Sequence, residues 1–133
     1  MNWTRIGLAG IAAGIATNVC EFIVHGLLLG DTYTRYPEVF EQTQSNPLFF
    51  LAIAVGMALV MAVVYAKTRS CWPAGVKGGA MLGFYVGLFL FLADFYYSLV
   101  IADFPYYLSW CWGVSSIIFA VVTGSVVALV YKD

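Results

Sequence analysis

Four long apolar stretches take up almost the whole of this chain. A helix that crosses a bilayer needs about 20 mostly apolar residues, and each stretch reaches that length. Only 10% of the residues are charged, whereas soluble proteins carry about 25%. We therefore expect an all-α integral membrane protein in which residues 1–133 form a single bundle of four transmembrane helices. The predicted spans cover residues 4–30, 47–66, 76–101 and 106–131.

Basic residues are concentrated at one end of the predicted bundle. With four spans, the N-terminus, the second connection and the C-terminus lie on one side of the membrane, and most Lys and Arg residues fall there. Such a charge bias marks the cytoplasmic side. We expect a multi-pass protein of the cytoplasmic (inner) membrane with cytoplasmic N- and C-termini. The basic residues on that side are Arg5, Lys67, Arg69, Lys77 and Lys132, and the other side carries Arg35 with Asp31, Glu38, Glu41 and Asp103.

Proline positions indicate where two of the spans begin. Asn46 precedes Pro47, and Asp103 lies two residues before Pro105. Asn and Asp side chains cap helix N-termini, and proline suits the first turn because its missing N–H is not needed there. We therefore expect Asn46 to cap the second span and Asp103 to cap the fourth.

The first span carries a stripe of small and polar residues on one narrow face. At about 100° per residue, their side chains fall within roughly 80° of arc on a helix. Glu21 and His25 are four residues apart and are therefore neighbours. Ionisable groups at membrane depth are costly, and they indicate a functional site by default. The stripe consists of Gly7, Gly10, Gly14, Asn18, Glu21 and His25.

The two halves of the chain share a weak pattern. In each half, two glycines four residues apart are followed, seven residues on, by an acidic residue and a phenylalanine. We therefore expect an internal repeat of residues 1–67 and 76–132, in which spans 1 and 2 form one helical hairpin and spans 3 and 4 another. Two such hairpins are related by an axis along the membrane normal. The aligned positions are Gly10 with Gly83, Gly14 with Gly87, Glu21 with Asp94 and His25 with Ser98.

Glycines in the first and third spans predict close packing of helices. Small residues let helix backbones approach each other in a membrane, where no hydrophobic force drives helix association. The predicted packing positions are Gly7, Gly10, Gly14, Gly79, Gly83 and Gly87.

A pocket that contains carboxylates is the predicted functional site. The repeat axis brings Glu21 and Asp94 to face each other in the outer half of the bilayer, with His25 beside them. These groups suit a proton relay, a polar grip on a small solute or cofactor head group, or a metal site with Glu, His and Asp ligands. Asn18 and Ser98 are the expected hydrogen-bonding neighbours. The alternative is that Glu21 and His25 pair with each other and only fix helix packing.

The main interpretation is a small membrane protein that binds or passes a small solute or proton through this pocket. Two alternatives stay open: a non-catalytic accessory or interaction subunit of a larger membrane complex, and a membrane protein that binds a metal or an unspecified cofactor. An enzyme is less favoured because the chain has no P-loop, H-E-x-x-H, G-x-S-x-G or paired C-x-x-C motif. The expected partners are the lipid bilayer and either a second copy of the chain or a larger complex. The sequence contains no basic patch with interleaved aromatic residues, so we do not expect a nucleic-acid partner.

Overall fold

The structure, a computed structural model, describes residues 1–40 and 46–132. Over these residues it is helical and contains no β-strand. Four of its helices are long and apolar enough to cross a membrane, which confirms the number and the approximate positions of the spans expected from the sequence. They cover Trp3–Leu28, Pro47–Cys71, Val76–Val100 and Tyr106–Val130.

The first and second spans each combine two kinds of helix. Helix α1 continues into a π-helical segment and is followed by the short helix α2, whereas α3 ends in one turn of 3₁₀-helix. Helices α4 and α5 are continuous. The bounds are Trp3–Glu21 for α1, Phe22–Leu28 for the π-helical segment, Gly30–Thr34 for α2, Pro47–Thr68 for α3, Arg69–Cys71 for the 3₁₀ turn, Val76–Val100 for α4 and Tyr106–Val130 for α5.

One of the two expected helix caps forms, and the other does not. The Asn46 side chain accepts a hydrogen bond from the backbone N–H of Leu48 at 3.0 Å, so it caps α3 as expected. The expectation for Asp103 was wrong. Its backbone φ is 60°, in the left-handed region that Asp tolerates. Asp103 therefore serves the tight turn between α4 and α5, and Pro105 occupies the N-cap position of α5 without a side-chain cap.

The long helices pack as two hairpins. Helix α1 packs on α3, α4 packs on α5, and the contact between α1 and α5 joins the two pairs. Helix α3 also contacts α5, whereas α3 and α4 make no more than marginal contact over the described residues. The internal repeat of residues 1–67 and 76–132 stays a prediction.

Both ends of the chain lie at one end of the bundle. The backbone N–H of Asn2 donates to the Tyr131 hydroxyl at 3.4 Å. The Arg69 guanidinium lies 5.9 Å from the centre of the Tyr131 ring, which places the connection between α3 and α4 at the same end. We call this the terminal end, and we call the opposite end, with α2 and residues 101–105, the distal end. Of the acidic residues expected at the distal end, Glu41 lies outside the described residues.

Aromatic side chains pack together at the distal end. Tyr33 of α2, Phe104 and Leu108 are buried, and Phe40 and Trp112 pack against them. The ring centroids of Phe104 and Trp112 are 5.2 Å apart. The four aromatic residues form the distal aromatic cluster, which packs on Leu108 and holds α2 and the distal connections against the start of α5.

Helices α4 and α5 approach each other at their glycines. A Cβ atom at Gly79 would meet the backbone carbonyl of Gly124, and one at Gly83 would meet the carbonyl of Ala120. A Cβ at Gly87 would likewise meet the backbone of α5. Glycine is therefore required for this helix spacing.

Helices α1 and α3 are also in close contact, but over a shorter stretch. A Cβ at Gly14 would meet the backbone of Val55, and one at Gly10 would meet the backbone and side chain of Leu59. Gly7 differs from the expectation because a Cβ there would meet nothing within 4 Å. Gly7 therefore makes no close helix approach.

Candidate functional site

A cavity of about 710 Å³ lies among the four long helices, and we call it the main cavity. Glu21, His25 and Asp94 all line it, so the three ionisable residues expected to converge do share one cavity. Its volume is in the usual range of ligand sites, about 300–1,000 Å³. The other polar residues in its lining are Thr17, Tyr97, Trp112, Ser116 and Thr123.

Glu21 occupies the last turn of α1 and is half-buried. The side-chain amide of Asn18, one turn earlier, donates a hydrogen bond to its carboxylate. This bond satisfies part of the hydrogen-bonding capacity of the carboxylate, which can accept several bonds. The remaining capacity of Glu21 is available to an occupant of the main cavity.

His25 is held by a hydrogen bond from outside its own helix. Its Nδ1 lies 2.5 Å from the Tyr33 hydroxyl, and the Trp112 indole N–H donates to the same hydroxyl at 2.8 Å. Burial raises the pKa of Tyr33 to about 12, although the bond from Trp112 opposes that shift. Tyr33 is therefore protonated at neutral pH.

The hydrogen bonds of Tyr33 support one assignment of the histidine ring. An indole N–H can only donate, so the Tyr33 oxygen accepts from Trp112. With that bond in place, the Tyr33 hydroxyl can donate its proton to Nδ1 of His25, and Nδ1 is then the acceptor. The His25 ring is thus assigned from its hydrogen bonds as neutral, with its proton on Nε2.

Aromatic rings enclose His25. Its ring centroid is 5.9 Å from that of Phe119 and 6.2 Å from that of Trp112, which it meets edge to face. The Tyr33 ring is stacked on it at 6.0 Å. The His25 ring therefore lies among aromatic rings, and Tyr33 binds its Nδ1. None of these rings forms a hydrogen bond with Nε2.

Asp94 is positioned by the neighbouring helix. The hydroxyl of Ser116 on α5 donates to the Asp94 carboxylate at 2.8 Å. Further toward the terminal end, the hydroxyl oxygens of Thr17 and Thr123 are 2.6 Å apart and join α1 to α5. Each hydrogen bond ties a pair of helices together at the wall of the main cavity.

A second cavity of about 650 Å³ adjoins the main cavity. Glu21, His25 and Trp112 line both of them. Asn18 and Phe40 line the second cavity only. Glu21 and His25 therefore stand where the two cavities meet, between the distal aromatic cluster and the interior of the bundle.

Ser98 does not join the site. Its hydroxyl donates to the carbonyl of Phe95 within α4 at 2.9 Å, and it lines neither cavity. The expected role of Ser98 as a hydrogen-bonding neighbour of the carboxylates is therefore not supported, because its hydroxyl bonds to its own helix.

A metal site is not supported over the described residues. These residues contain no group of three His, Cys, Asp or Glu side chains placed to hold one ion. Glu21, His25 and Asp94 share a cavity, but Nδ1 of His25 bonds to Tyr33 and the carboxylate of Asp94 accepts from Ser116. The three side chains are thus oriented by protein partners rather than toward a common ion.

Tyr33, Trp112 and Ser116 belong to the site, but the carboxylate pattern does not reveal them. Tyr33 and Trp112 lie near predicted span ends, where aromatic residues are typical of the membrane interface. Ser116 and Thr123 are seven residues apart and so share a face of α5, and this spacing is the sequence signal that could have indicated Ser116.

Comparison of this chain with protein-family models, with curated proteins and with solved structures found no match.

Proposed function

We propose that this chain binds and passes a small solute or protons through the main cavity. The observation that carries the proposal is that Glu21, His25 and Asp94, from two different spans, line one otherwise mostly apolar cavity. Ionisable groups are costly in such surroundings and are typical of proton and ion pathways in membrane proteins.

In this proposal, Glu21 and Asp94 carry protons and His25 is their exchange partner. Neutral His25 accepts at Nδ1 from Tyr33 and is free to donate from Nε2. Histidine is suited to this role because its unperturbed pKa lies near neutrality. When the ring takes up a proton, Nδ1 becomes a donor, so the Tyr33 hydroxyl must turn. The hydrogen bond between them would then report the protonation state of His25.

The second cavity supplies the route of entry for protons. It meets the main cavity at Glu21 and His25, and it extends toward the distal end beside Phe40 and Pro47. A proton that arrives from the distal end would reach these two side chains first and Asp94 afterwards.

The orientation proposed here follows from charge. Arg5, Lys67, Arg69 and Lys77 belong to the terminal-end segments of the spans. By the positive-inside rule, we place the terminal end in the cytoplasm and the protein in the cytoplasmic membrane. The carboxylate cavity then opens in the outer half of the bilayer.

Proton entry into proteoliposomes tests the function without knowledge of the solute. Purified protein is reconstituted with an internal pH-sensitive dye, and a potassium diffusion potential drives protons inward. We expect faster acidification than in protein-free liposomes, and we expect Glu21→Gln to reduce the rate at least tenfold because the amide cannot carry the proton.

Glu38→Gln is the matched control, because Glu38 is exposed on the distal connection and lines neither cavity. Its proton flux should equal that of the wild type. Flux no faster than in protein-free liposomes, or equal flux in wild type and Glu21→Gln, would overturn the proposal.

A further inference from the structure

An apolar trough runs along the main cavity between α3 and α4. Ile53, Met57 and Val60 of α3 line it, although they are 61%, 52% and 65% exposed. Val86 and Leu90 of α4 line its opposite wall. Because α3 and α4 make no more than marginal contact, the trough opens sideways, toward the space that lipid chains fill in a bilayer.

The trough is long, and its wall on α3 is apolar. The lining on this helix extends from Phe50 to Val64, which corresponds to roughly 21 Å at about 1.5 Å per residue. The side chains along α3 in this lining are apolar throughout. Such a surface suits an extended hydrocarbon chain, because burial of each CH₂ group contributes about 0.8 kcal/mol.

One region of the main cavity is lined by carboxyl groups and aromatic rings. The carboxyls of Glu21 and Asp94 lie in its wall together with the rings of Tyr97, Trp112 and Phe119. No Lys or Arg is among the described residues that line it. A carboxylate in apolar surroundings is costly unless an opposite charge accompanies it, and aromatic faces attract cations. Charge complementarity therefore favours a positively charged group here.

We propose that the solute of the main cavity is an amphiphilic ammonium compound, with a cationic amine or quaternary ammonium head and a single alkyl chain. The head lies among Glu21, Asp94 and the rings, and the chain lies in the trough. The compound enters from the bilayer between α3 and α4. This inference rests on the proposed function, since it names the solute of the same cavity.

Calorimetric titration of the protein in phosphatidylcholine nanodiscs tests the inference, with the heat of protein-free nanodiscs subtracted. The probe is dodecyltrimethylammonium. We expect one saturable site and at least tenfold weaker binding of tetramethylammonium, which lacks the chain, and of dodecanol, which lacks the charge. Dodecylphosphocholine should also bind at least tenfold more weakly, because the two carboxylates repel its negatively charged phosphate. This comparison distinguishes a free ammonium amphiphile from a phospholipid head group.

Asp94→Asn is the diagnostic variant, because an amide oxygen can still accept the hydrogen bond from Ser116 and so preserve the fold. It should weaken binding of dodecyltrimethylammonium at least tenfold. Asp103→Asn, an exposed distal residue outside the cavity, should leave binding unchanged.

Absence of a saturable site, equal binding of dodecanol, or unchanged binding in Asp94→Asn would overturn the inference. The two proposals fail separately. Proton flux that depends on Glu21, without binding of the ammonium probe, removes only this inference, whereas loss of both results removes the proposed function as well.

Discussion

At the scale of single residues, the hydroxyl of Tyr33 is the most constrained polar group of the site. It accepts from Trp112 and bonds to His25, and these two residues belong to different spans. Tyr33 itself is only 8% exposed. One hydroxyl on the short helix α2 thus orients the histidine and fastens α2 to the bundle.

Tyr33→Phe should destabilise the protein at neutral pH. The substitution keeps the ring but leaves the Trp112 N–H and Nδ1 of His25 without their partner, and an unsatisfied buried group costs about 1–3 kcal/mol. Unfolding in mixed micelles, followed by circular dichroism, measures the change. Tyr96→Phe is the control, because Tyr96 is 68% exposed, and it should have little effect. An equal effect of the two substitutions would contradict the role of Tyr33.

The difference in stability between wild type and Tyr33→Phe should depend on pH. Burial raises the pKa of Tyr33 from its ordinary value of 10.0 to about 12. Below pH 10 the phenol is protonated in both folded and unfolded chains, so its stabilising contribution is complete. Between pH 10 and 12 the unfolded chain ionises first, and this favours unfolding. The stability difference between wild type and Tyr33→Phe should therefore shrink as the pH rises from 10 to 12, and a constant difference would contradict the shift.

The carboxylates and the histidine could be predicted from the sequence, whereas their partners could not. Glu21 and His25 stand out because ionisable groups in an apolar helix are costly, and helical periodicity alone makes them neighbours. The bond from Trp112 to Tyr33 joins residues 79 positions apart. No local sequence pattern reveals a contact between residues so far apart. The sequence therefore does not distinguish aromatic residues that line the site from those at the membrane interface.

At the scale of elements, the π-helical segment sets where His25 lies. The segment Phe22–Leu28 follows α1 without a break, and the N–H of Leu29 bonds to the carbonyl of Val24 at 2.8 Å, five residues back. Such segments are rare and frequently occur at functional sites. The sequence pattern assumes 3.6 residues per turn, so it predicts Glu21 and His25 as neighbours on one helix face but does not reveal the wider turn.

Glycine on α4 should be necessary for the contact with α5. In Gly83→Ala, the new Cβ would meet the carbonyl of Ala120, so the two helices must separate, and we expect a loss of about 1–3 kcal/mol, as for other overpacked sites. Gly56→Ala is the matched control, since a Cβ at Gly56 would meet nothing within 4 Å. It should be neutral or should gain up to about 1 kcal/mol from helix propensity. Denaturant titration in micelles measures both, and equal stability of the two variants would be evidence against the close approach.

At the scale of the whole molecule, the cavity exists because the two hairpins meet mainly through α1 and α5. Helices α3 and α4 flank this contact without closing against each other. The sequence predicts the four spans because length and apolar character are sufficient for that purpose. It predicts the two hairpins but not that they meet through α1 and α5, because in a membrane that choice depends on how closely the helix surfaces fit rather than on apolar character.

The proposed orientation gives the molecule two chemically distinct ends, which thiol labelling can distinguish. Cys71 is exposed at the terminal end. A first variant with Cys20→Ala and Cys111→Ala retains Cys71 as its single thiol. A second variant adds Cys71→Ser and Thr34→Cys, which moves the thiol to an exposed position of α2 at the distal end.

A membrane-impermeant maleimide is applied to spheroplasts that contain one or the other variant. We expect the second variant to react in intact spheroplasts and the first to react only after permeabilisation, because the five basic residues at the terminal end favour its retention in the cytoplasm. The reverse pattern would place the carboxylate cavity in the inner half of the bilayer. Protons driven by the membrane potential would then meet Asp94 and Glu21 from the opposite side, so the direction of flux through the cavity depends on this result.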